Sequence, residues 1–201
     1  MNLVCMPIFH VAGTNMGLAG MVTGAKNIII PEVDPTLILK LIEQEKIQHA
    51  LFVPAVILFL VQHPEAASTD FSSLKTVIYG ASPITDDTLI KAMELMKCDF
   101  WQVYGLTETN GAVTFLYPDD HDISRGKLRS CGKAGKDVGL RVVDPDDNDV
   151  PVGEVGEVII KSLNNMKGYW NRPDATKEAI KDGWFYSGDI GYFDDEGFLY
   201  I

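Results

Sequence analysis

A hydroxyl and a carboxylate stand side by side at Thr107 and Glu108, shortly after a run with the character of a buried strand. That run ends at Tyr104, and Gly105 begins the turn that follows it. Ligands of open parallel sheets bind beyond the carboxyl ends of the strands. At such an edge an aromatic ring can stack on a base, a hydroxyl can donate to a phosphate oxygen, and a carboxylate can bind Mg²⁺. A strand followed by a polar turn without any ligand is the alternative interpretation.

Small residues follow a second strand-like run, at Gly80, Ala81 and Ser82. A backbone that carries no bulky side chains lets a flat ring lie against it, so this segment can line the base of a nucleotide. A tight turn between a strand and a helix is the competing explanation for the same three residues.

Two further side chains, Asp189 and His10, have chemistry that a nucleotide or its co-substrate can use. Asp189 follows a Ser-Gly turn, and a carboxylate at that point can accept hydrogen bonds from both hydroxyls of a ribose. Turn capping is the alternative role for Asp189. His10 lies among apolar residues, where a histidine is commonly a structural residue rather than a ligand.

The composition is that of an acidic globular protein. The chain has 201 residues, of which 46% are apolar and 22% are charged, and its formal net charge is −11. Nucleic-acid-binding proteins present clusters of Lys and Arg, and anionic membranes attract basic segments. The sequence therefore predicts neither a nucleic-acid partner nor a membrane surface. A polyanion such as ATP would need local neutralisation by a metal ion, backbone N–H groups or a few cations.

The three cysteines, Cys5, Cys98 and Cys131, match neither a disulfide framework nor a zinc site. Their number is odd and no Cys-x-x-Cys pair occurs, which indicates a reducing, cytoplasmic location. We expect no signal peptide and no transmembrane segment. The most apolar stretch, residues 50–61, is too short to cross a bilayer and contains Pro54.

Helical and strand patterns alternate through roughly the first 120 residues. Apolar runs predict strands at residues 26–30, 50–53, 76–79 and 100–104. Cap residues and helical spacing predict helices at residues 13–24, from Asp34-Pro35 onward, at 54–61 and from Asp86 or Asp87 to 97. This order predicts an α/β fold with a mainly parallel sheet and flanking helices, which places both candidate turns after strands.

The pattern changes near residue 120. Residues 119–139 are rich in Asp, Gly, Lys and Arg and predict an exposed connection. Short β-like segments follow at residues 140–143, 155–161, 184–186, 191–193 and 198–201. One helix is predicted among them, at residues 173–181. We therefore expect an α/β subdomain at residues 1–122, incomplete at its N-terminus, and a small β-rich, barrel-like subdomain at residues 123–201.

Five motifs in this order resemble those of the adenylate-forming (AMP-binding) superfamily, which includes acyl-CoA synthetases, firefly luciferase and peptide-synthetase adenylation domains. The motifs are PIFHVAG at 7–13, YGASP at 79–83, YGLTE at 104–108, GEVGEV at 153–158 with GYWNRP at 168–173, and WFYSGD at 184–189. The ordered set is far more specific than any one motif, and it covers essentially the whole chain. The last two segments look more like the CoA-ligase branch than the peptide-synthetase branch.

The resemblance implies an enzyme that uses ATP and Mg²⁺ to convert a carboxylic acid, with a fatty acid expected, into an acyl-adenylate. The acyl group would then be transferred to coenzyme A. A free carboxylate is a poor acyl donor, and the adenylate gives its oxygen a phosphate leaving group. The protein would contribute mainly positioning and neutralisation of phosphate charge. Adenylation of the peptide-synthetase type and nucleotide binding without catalysis are the alternatives.

Carried over residue by residue, the resemblance implies three groups of site residues. The nucleotide would contact Gly80, Ala81, Ser82, Tyr104, Gly105 and Asp189. The catalytic residues would be Thr107 at the α-phosphate, Glu108 as the Mg²⁺ ligand, and His10 at the entry of the carboxylate. The acyl pocket would be lined by His10, Gly105, Gly111 and Ala112. Structural roles are expected for Glu157, Tyr169, Trp170 and Pro173.

Three features of the superfamily do not occur in this sequence. The Ser/Thr/Gly-rich phosphate loop with its lysine is not found before His10, and the hinge residues do not follow Ile201. The mobile C-terminal domain with its catalytic lysine is absent. The resemblance therefore implies that the chain corresponds to part of a longer enzyme. We expect the chain alone to be inactive, to bind ATP weakly, and to expose apolar sheet and helix surface.

Overall fold

The computed structural model describes all residues from 1 to 201, which form two compact units. The first unit comprises Met1–Gln102 and Tyr117–Asp122, and the second comprises Val103–Leu116 and Ile123–Ile201. The elements that begin in the first unit alternate along the chain as β1 (Asn2–Val4), α1 (Val11–Thr23), β2 (Asn27–Ile29), α2 (Pro35–Gln44), β3 (His49–Phe52), α3 (Pro54–Gln62), β4 (Thr76–Gly80), α4 (Asp86–Met96) and β5 (Asp99–Leu106).

Parallel pairing organises the strands of the first unit, whose order is β2-β1-β3-β4-β5. Asn2 lies opposite Asn27 of β2 and opposite His49 of β3, and His49 lies opposite Thr76 of β4. β1 is buried throughout, as expected where helices cover a parallel sheet. Because β1, β3 and β4 run in the same direction, the residues that follow β1 and β4 leave the sheet at one edge.

Local sequence determines where α2 and α3 begin. The Asp34 side chain accepts hydrogen bonds from the N–H groups of Thr36 and Leu37, and Pro35 occupies the first helical position. Pro54 occupies the same position in α3, where no side chain caps the helix. Both helices therefore begin where the sequence predicts, because proline cannot donate the backbone hydrogen bond that this position leaves unused.

The cap of α4 differs from the prediction. Thr85, not Asp86 or Asp87, is the N-cap, and its hydroxyl oxygen accepts a hydrogen bond from the N–H of Thr88. Asp86 and Asp87 lie in the first turn of the helix, where their negative charges complement the positive end of the helix dipole. The acidic pair thus stabilises the start of α4 by charge rather than by capping.

His121 belongs to the first unit and exposes only 3% of its surface, which corrects the prediction of an exposed connection at this point. Its Nε2 lies 3.0 Å from the Tyr79 hydroxyl and its Nδ1 lies 2.8 Å from the Tyr117 carbonyl oxygen. A carbonyl only accepts, so Nδ1 carries the proton and Nε2 accepts from Tyr79. Burial lowers the pKa of His121, and the neutral ring anchors the end of β4.

The second unit is mainly antiparallel. It contains the end of β5 and then β6 (Gly111–Leu116), β7 (Lys133–Ala134), β8 (Gly139–Val143), β9 (Gly156–Lys161), α5 (Pro173–Ala179), β10 (Ile180–Lys181), β11 (Trp184–Phe193) and β12 (Leu199–Tyr200). One sheet has the order β10-β11-β9-β8, and β12 pairs with β11. β6 lies between β5 and β7 and pairs with β7 in antiparallel fashion.

An apolar cluster forms the core of the second unit, which also contains a buried lysine. The cluster consists of Val113, Val142, Val158, Ile160, Phe185 and Leu199. The Lys127 ammonium lies 2.7 Å from a carboxylate oxygen of Asp194 and 2.7 Å from one of Glu196. Lys127 exposes only 8% of its surface, and a buried cation of this kind needs such partners. Residues 124–139 are therefore not a wholly exposed connection.

The predicted fold class is confirmed, with a mainly parallel sheet and helices in the first unit and an antiparallel β-rich second unit. Four short strands, β1, β6, β7 and β10, were not predicted, and the helix predicted at residues 173–181 ends at Ala179, before β10. The proposed domain division at residues 1–122 and 123–201 stays a prediction. None of the helices combines the length and the apolar character that crossing a bilayer requires.

Candidate nucleotide and metal site

Tyr104 and Asp189 are 85 residues apart in the sequence and are in contact in the second unit. The Tyr104 hydroxyl donates to Asp189 Oδ2 at 2.7 Å. β5 carries the tyrosine and β11 carries the aspartate. A carboxylate has about four acceptor positions, so this single bond leaves Asp189 able to accept from a diol. The structure thus places an aromatic ring beside an acidic acceptor, and the sequence had assigned both residues to a nucleotide.

A bulge in β11 presents Asp189. Tyr186 lies opposite Ile159 and Ile190 lies opposite Glu157, so three residues of β11 face the single residue Val158 of β9. Within the bulge Gly188 has a φ of +76°, a conformation that glycine adopts without strain.

Hydrogen bonds hold this bulge on both sides. The Ser187 hydroxyl donates to the Val158 carbonyl at 2.6 Å, and its oxygen accepts from the Asp189 N–H at 3.1 Å. The Gly188 N–H donates to Glu157 Oε1 at 3.0 Å. Each of these bonds satisfies a backbone group in the bulge or opposite it, and together they fix the backbone from which the Asp189 carboxylate projects.

The electrostatic environment keeps the Tyr104 hydroxyl protonated. Burial is the largest cause that raises the pKa of Tyr104, and the hydrogen bond to Asp189 raises it further. An ionised phenolate would stand next to the Asp189 carboxylate in a half-buried position, which is unfavourable for both charges. Tyr104 therefore acts as a hydrogen-bond donor, and it holds the aspartate carboxylate in one orientation.

Thr107 and Glu108 lie in one turn of 3-10 helix, Thr107–Thr109, between β5 and β6. Thr109 is 1% exposed and fixes this turn from inside. Its Oγ1 accepts from the Leu106 N–H at 3.0 Å and donates to the Gly111 carbonyl at 2.8 Å. The turn therefore has a defined backbone, from which the exposed Thr107 hydroxyl and the half-buried Glu108 carboxylate project.

Glycine is required on both sides of this turn. A Cβ atom at Gly105 would overlap the carbonyl group of Gly111. Gly111 has a φ of +107°, which residues with side chains rarely adopt. Close packing explains Gly105 and the positive φ explains Gly111, and Ala112 follows as a half-buried residue of β6. The predicted roles of Gly105, Gly111 and Ala112 in a nucleotide and acyl pocket stay predictions.

Glu108 is contacted by a segment far along the chain. The Tyr169 hydroxyl donates to Glu108 Oε1 at 2.9 Å, and the Met166 N–H donates to the Glu108 carbonyl at 2.6 Å. No group of three or more His, Cys, Asp or Glu side chains forms a metal cluster. A lone carboxylate nevertheless fits Mg²⁺, because this ion commonly binds one or two protein carboxylates and takes waters and substrate phosphates as its other ligands.

The small-residue segment lies at the end of β4 in the first unit. Gly80 is the last residue of the strand, and Ala81 and Ser82 are exposed beyond it. Ala81 has a φ of +71°, in the left-handed region that costs a residue with a side chain about 1–2 kcal/mol. Strain of this kind persists only where neighbouring structure imposes it, and it concentrates at ligand sites. Two residues before Ala81, Tyr79 is buried and forms a hydrogen bond with His121.

His10 is the N-cap of α1. Its Nδ1 accepts a hydrogen bond from the Ala12 N–H at 3.2 Å, and the residue is exposed. This contact gives His10 a structural role, which the sequence had left open as the alternative. His10 and the Gly80 segment both follow parallel strands of the first unit, β1 and β4, at one edge of the sheet. The role of His10 in catalysis and in the acyl pocket stays a prediction.

Two residues of this region had been assigned structural roles only. Glu157 accepts from the backbone that presents Asp189, and Tyr169 donates to the Glu108 carboxylate. Both lie inside motifs that the sequence displays, GEVGEV and GYWNRP, and each contributes a polar side chain there. Sequence reasoning missed their contacts because each partner lies more than thirty residues away, at separations of 31 and 61.

Comparison with known proteins points to one family. Residues 1–170 match the profile of the family described as AMP-binding enzyme. The chain is 36% identical, over 199 residues, to the medium/long-chain-fatty-acid–CoA ligase FadD8 of Mycobacterium tuberculosis, and this match covers 99% of the chain and 34% of the ligase.

Two solved structures are similar over 99% of the chain and 40% of their own length. The amide bond synthetase McbA from Marinactinospora thermotolerans has a TM-score of 0.91 and 32% sequence identity. The o-succinylbenzoate coenzyme A synthetase MenE from Bacillus subtilis, in complex with ATP and magnesium ion, has a TM-score of 0.88 and 27% identity. The chain therefore spans between a third and two fifths of the length of these relatives.

Proposed function

Because the chain belongs to the AMP-binding enzyme family, we propose that it contributes the ribose-, phosphate- and magnesium-binding residues of an enzyme that activates a carboxylic acid with ATP. The contact between the Tyr104 hydroxyl and the Asp189 carboxylate carries this proposal. It joins two of the five sequence motifs through side chains rather than backbone. It also sets a stacking surface beside an acceptor for a diol, the two features by which a nucleoside is recognised.

In the proposed reaction an oxygen of the acid attacks the α-phosphorus of ATP, and the bond to pyrophosphate breaks. Thr107 donates to an oxygen of the α-phosphate, and Glu108 is the protein ligand of the Mg²⁺ that neutralises the phosphate charge. The acyl carbon is then transferred to the sulfur of coenzyme A, and AMP leaves with the oxygen that it gained. Asp189 holds the ribose throughout, so both half-reactions occur on one positioned nucleotide.

The remaining predicted residues serve the base and the acid in this proposal. Gly80, Ala81 and Ser82 lie against the adenine because they carry little side-chain bulk, and Ala81 and Ser82 are exposed. His10 is assigned to the entry of the carboxylate, and Gly111 and Ala112 are assigned to the acyl pocket. Since His10 uses Nδ1 to cap α1, its Nε2 is the ring nitrogen that would face a carboxylate.

A fatty acid and coenzyme A are the substrates that we propose for the complete reaction. Support comes from the fatty-acid–CoA ligase, the relative whose identity to the chain is 36%. The names of the two structural relatives describe another acid in one case and amide formation in the other, so acid and acceptor both vary among proteins of this fold. The acid is therefore the part of the proposal that a direct assay must establish.

Calorimetric titration of the chain with Mg²⁺ and ATP tests the nucleotide-binding part. The change Asp189→Asn keeps the shape of the side chain and removes its charge. A hydrogen bond to a charged group contributes about 1.5–3 kcal/mol, so we expect the dissociation constant for ATP to rise roughly tenfold or more. Asp147→Asn is the matched control, because Asp147 also accepts from a tyrosine hydroxyl, that of Tyr186, at 3.0 Å. Equal weakening by both changes, or by neither, would remove Asp189 from the ribose site.

Pyrophosphate release over a panel of carboxylic acids tests the catalytic part and the alternatives. We expect release with fatty acids from an enzyme that contains this chain, and loss of release with Glu108→Gln. Release with amino acids alone would favour adenylation of the peptide-synthetase type. Nucleotide binding that depends on Asp189, without release for any acid, would favour a nucleotide-binding protein that is not a catalyst.

A further inference from the structure

The Glu108 side chain is held by a single residue that the sequence motifs do not assign to the site. Tyr169 Oη donates to Glu108 Oε1 at 2.9 Å across a separation of 61 residues. The Met166 N–H donates to the Glu108 carbonyl at 2.6 Å, so one short segment contacts both the backbone and the side chain of the glutamate. The two contacts fix where Glu108 lies and how its carboxylate is turned.

The turn that contains Glu108 does not orient the carboxylate by itself. Thr109 fixes the backbone of the turn, as its hydroxyl bonds to Leu106 and Gly111 show. The glutamate side chain has three rotatable bonds beyond that backbone, and it is only half-buried. A hydrogen bond from outside the turn is therefore what selects one orientation of the carboxylate.

Tyr169 is itself held in place from both sides. Its N–H donates to Thr176 Oγ1 at 2.9 Å, and that hydroxyl donates to the Arg172 carbonyl at 2.9 Å. Gly168 has a φ of +152°, and a Cβ atom there would lie 2.7 Å from Thr176 Cγ2. Glycine at position 168 allows the chain to approach Thr176 this closely. The backbone of Tyr169, which carries the phenol ring, therefore has a defined position.

We propose that Tyr169 is a positioning residue for the metal ligand Glu108. Its hydroxyl donates to Oε1 and holds the carboxylate in one orientation, so that the remaining lone pairs would be available to Mg²⁺. Partners of this kind orient a metal ligand before the ion arrives, and their loss typically weakens metal binding about 10–100-fold. This inference rests on the proposed function, since it requires that Glu108 bind the metal.

Binding of Mn²⁺ to the chain in the presence of a non-hydrolysable ATP analogue tests the proposal. Mn²⁺ replaces Mg²⁺ because its paramagnetism lets bound ion be counted directly. We expect Tyr169→Phe, which removes only the hydroxyl, to weaken nucleotide-dependent Mn²⁺ binding by roughly tenfold. Tyr186→Phe is the matched control, since the Tyr186 hydroxyl also donates to an aspartate, Asp147, at 3.0 Å and should leave Mn²⁺ binding unchanged.

A double-mutant cycle separates positioning from a general structural effect. Once Glu108→Gln has removed the charged ligand, the Tyr169 hydroxyl has no metal ligand to orient. Adding Tyr169→Phe to Glu108→Gln should then cause no further loss of Mn²⁺ binding. Additive losses in the double variant would overturn the proposal, because they would mean that the tyrosine acts independently of Glu108.

The failure of this inference differs from the failure of the proposed function. If Glu108→Gln loses Mn²⁺ while Tyr169→Phe binds it like the unsubstituted chain, Glu108 is the ligand and the positioning role is overturned alone. If Glu108→Gln shows the same nucleotide-dependent Mn²⁺ binding as the unsubstituted chain, the metal role of Glu108 fails and the inference fails with it. Urea unfolding of each variant confirms that binding is compared between folded proteins.

Discussion

The Tyr104 hydroxyl keeps its proton because of where it lies. It is half-buried, and its oxygen is 2.7 Å from the Asp189 carboxylate, so ionisation would bring two negative charges together. Burial and the carboxylate both raise the pKa of Tyr104. The folded chain therefore binds this proton more tightly than the unfolded chain does, and the stability of the chain must depend on pH where free tyrosine ionises.

Replacing Tyr104 by Phe makes this dependence measurable. The stabilisation from the raised pKa is fully present below about pH 10, the ordinary tyrosine value, and is lost as pH rises toward the folded pKa. Relative to Tyr104→Phe, the unsubstituted chain should lose up to about 1.4 kcal/mol of unfolding free energy per pH unit above that value. Urea unfolding from about pH 8 to pH 11 measures the difference. A difference that stays constant over this range would contradict the prediction.

Some site residues could be predicted from sequence and others could not, for a physical reason. Asp189 follows a Ser-Gly turn, a local pattern that is visible in the sequence itself. Tyr169 and His121 differ, because their roles come from partners 61 and 42 residues away. Only folding brings those partners near, and no local pattern distinguishes such a tyrosine or histidine from one on the surface.

At the scale of elements, the turn between β5 and β6 also combines features that local sequence predicts with features that depend on distant partners. The sequence predicted that the strand ends at Tyr104 and that Gly105 begins the turn, but β5 continues through Gly105 to Leu106 before the turn starts. It did not predict β6, whose first residues, Gly111 and Ala112, are small and carry little strand preference. β6 forms because its neighbours β5 and β7 provide pairing partners, which is a property of the sheet rather than of the segment.

Gly105→Ala tests how tightly this turn is packed. The added Cβ would overlap the carbonyl group of Gly111, which is backbone and cannot rotate away. Overpacking of this kind costs about 1–3 kcal/mol, and we expect a loss of that size in the free energy of unfolding. Urea unfolding, with circular dichroism as the signal, measures it.

Gly17→Ala is the matched control for this change. Gly17 lies within α1, and a Cβ atom there meets nothing within 4 Å. Alanine has the higher helix propensity, so this substitution should leave stability unchanged or raise it by up to about 1 kcal/mol. The same chemical change therefore has opposite expected signs at the two glycines. A Gly105→Ala variant as stable as the unsubstituted chain would mean that the turn can shift to admit a methyl group.

At the scale of the whole molecule, charge and exposed apolar surface act against each other. The formal net charge of −11 repels copies of the chain at neutral pH. α1 exposes apolar side chains on one face, where Leu18, Met21 and Val22 are 50%, 72% and 87% exposed. These residues are spaced three and four positions apart, so they form one continuous patch. Contiguous apolar surface of this kind favours association once the repulsion is weakened.

The double change Met21→Gln and Val22→Gln tests this balance without altering the net charge. As pH falls toward the isoelectric point of about 4.7, repulsion fades and the unsubstituted chain should self-associate. If each covered side chain contributes about 1 kcal/mol, the two together contribute about 2 kcal/mol, and the double variant should associate roughly thirtyfold more weakly. Sedimentation velocity at about pH 7.5 and about pH 5 measures the associated fraction.

The control for this experiment carries the same substitutions at isolated apolar residues of the second unit. Val152 and Leu163 are 67% and 98% exposed, and neither belongs to the patch on α1. Val152→Gln with Leu163→Gln should therefore leave self-association unchanged, since single exposed apolar side chains do not offer a continuous surface. If the control reduces association as much as the α1 variant does, general surface hydrophobicity and not the α1 face drives it.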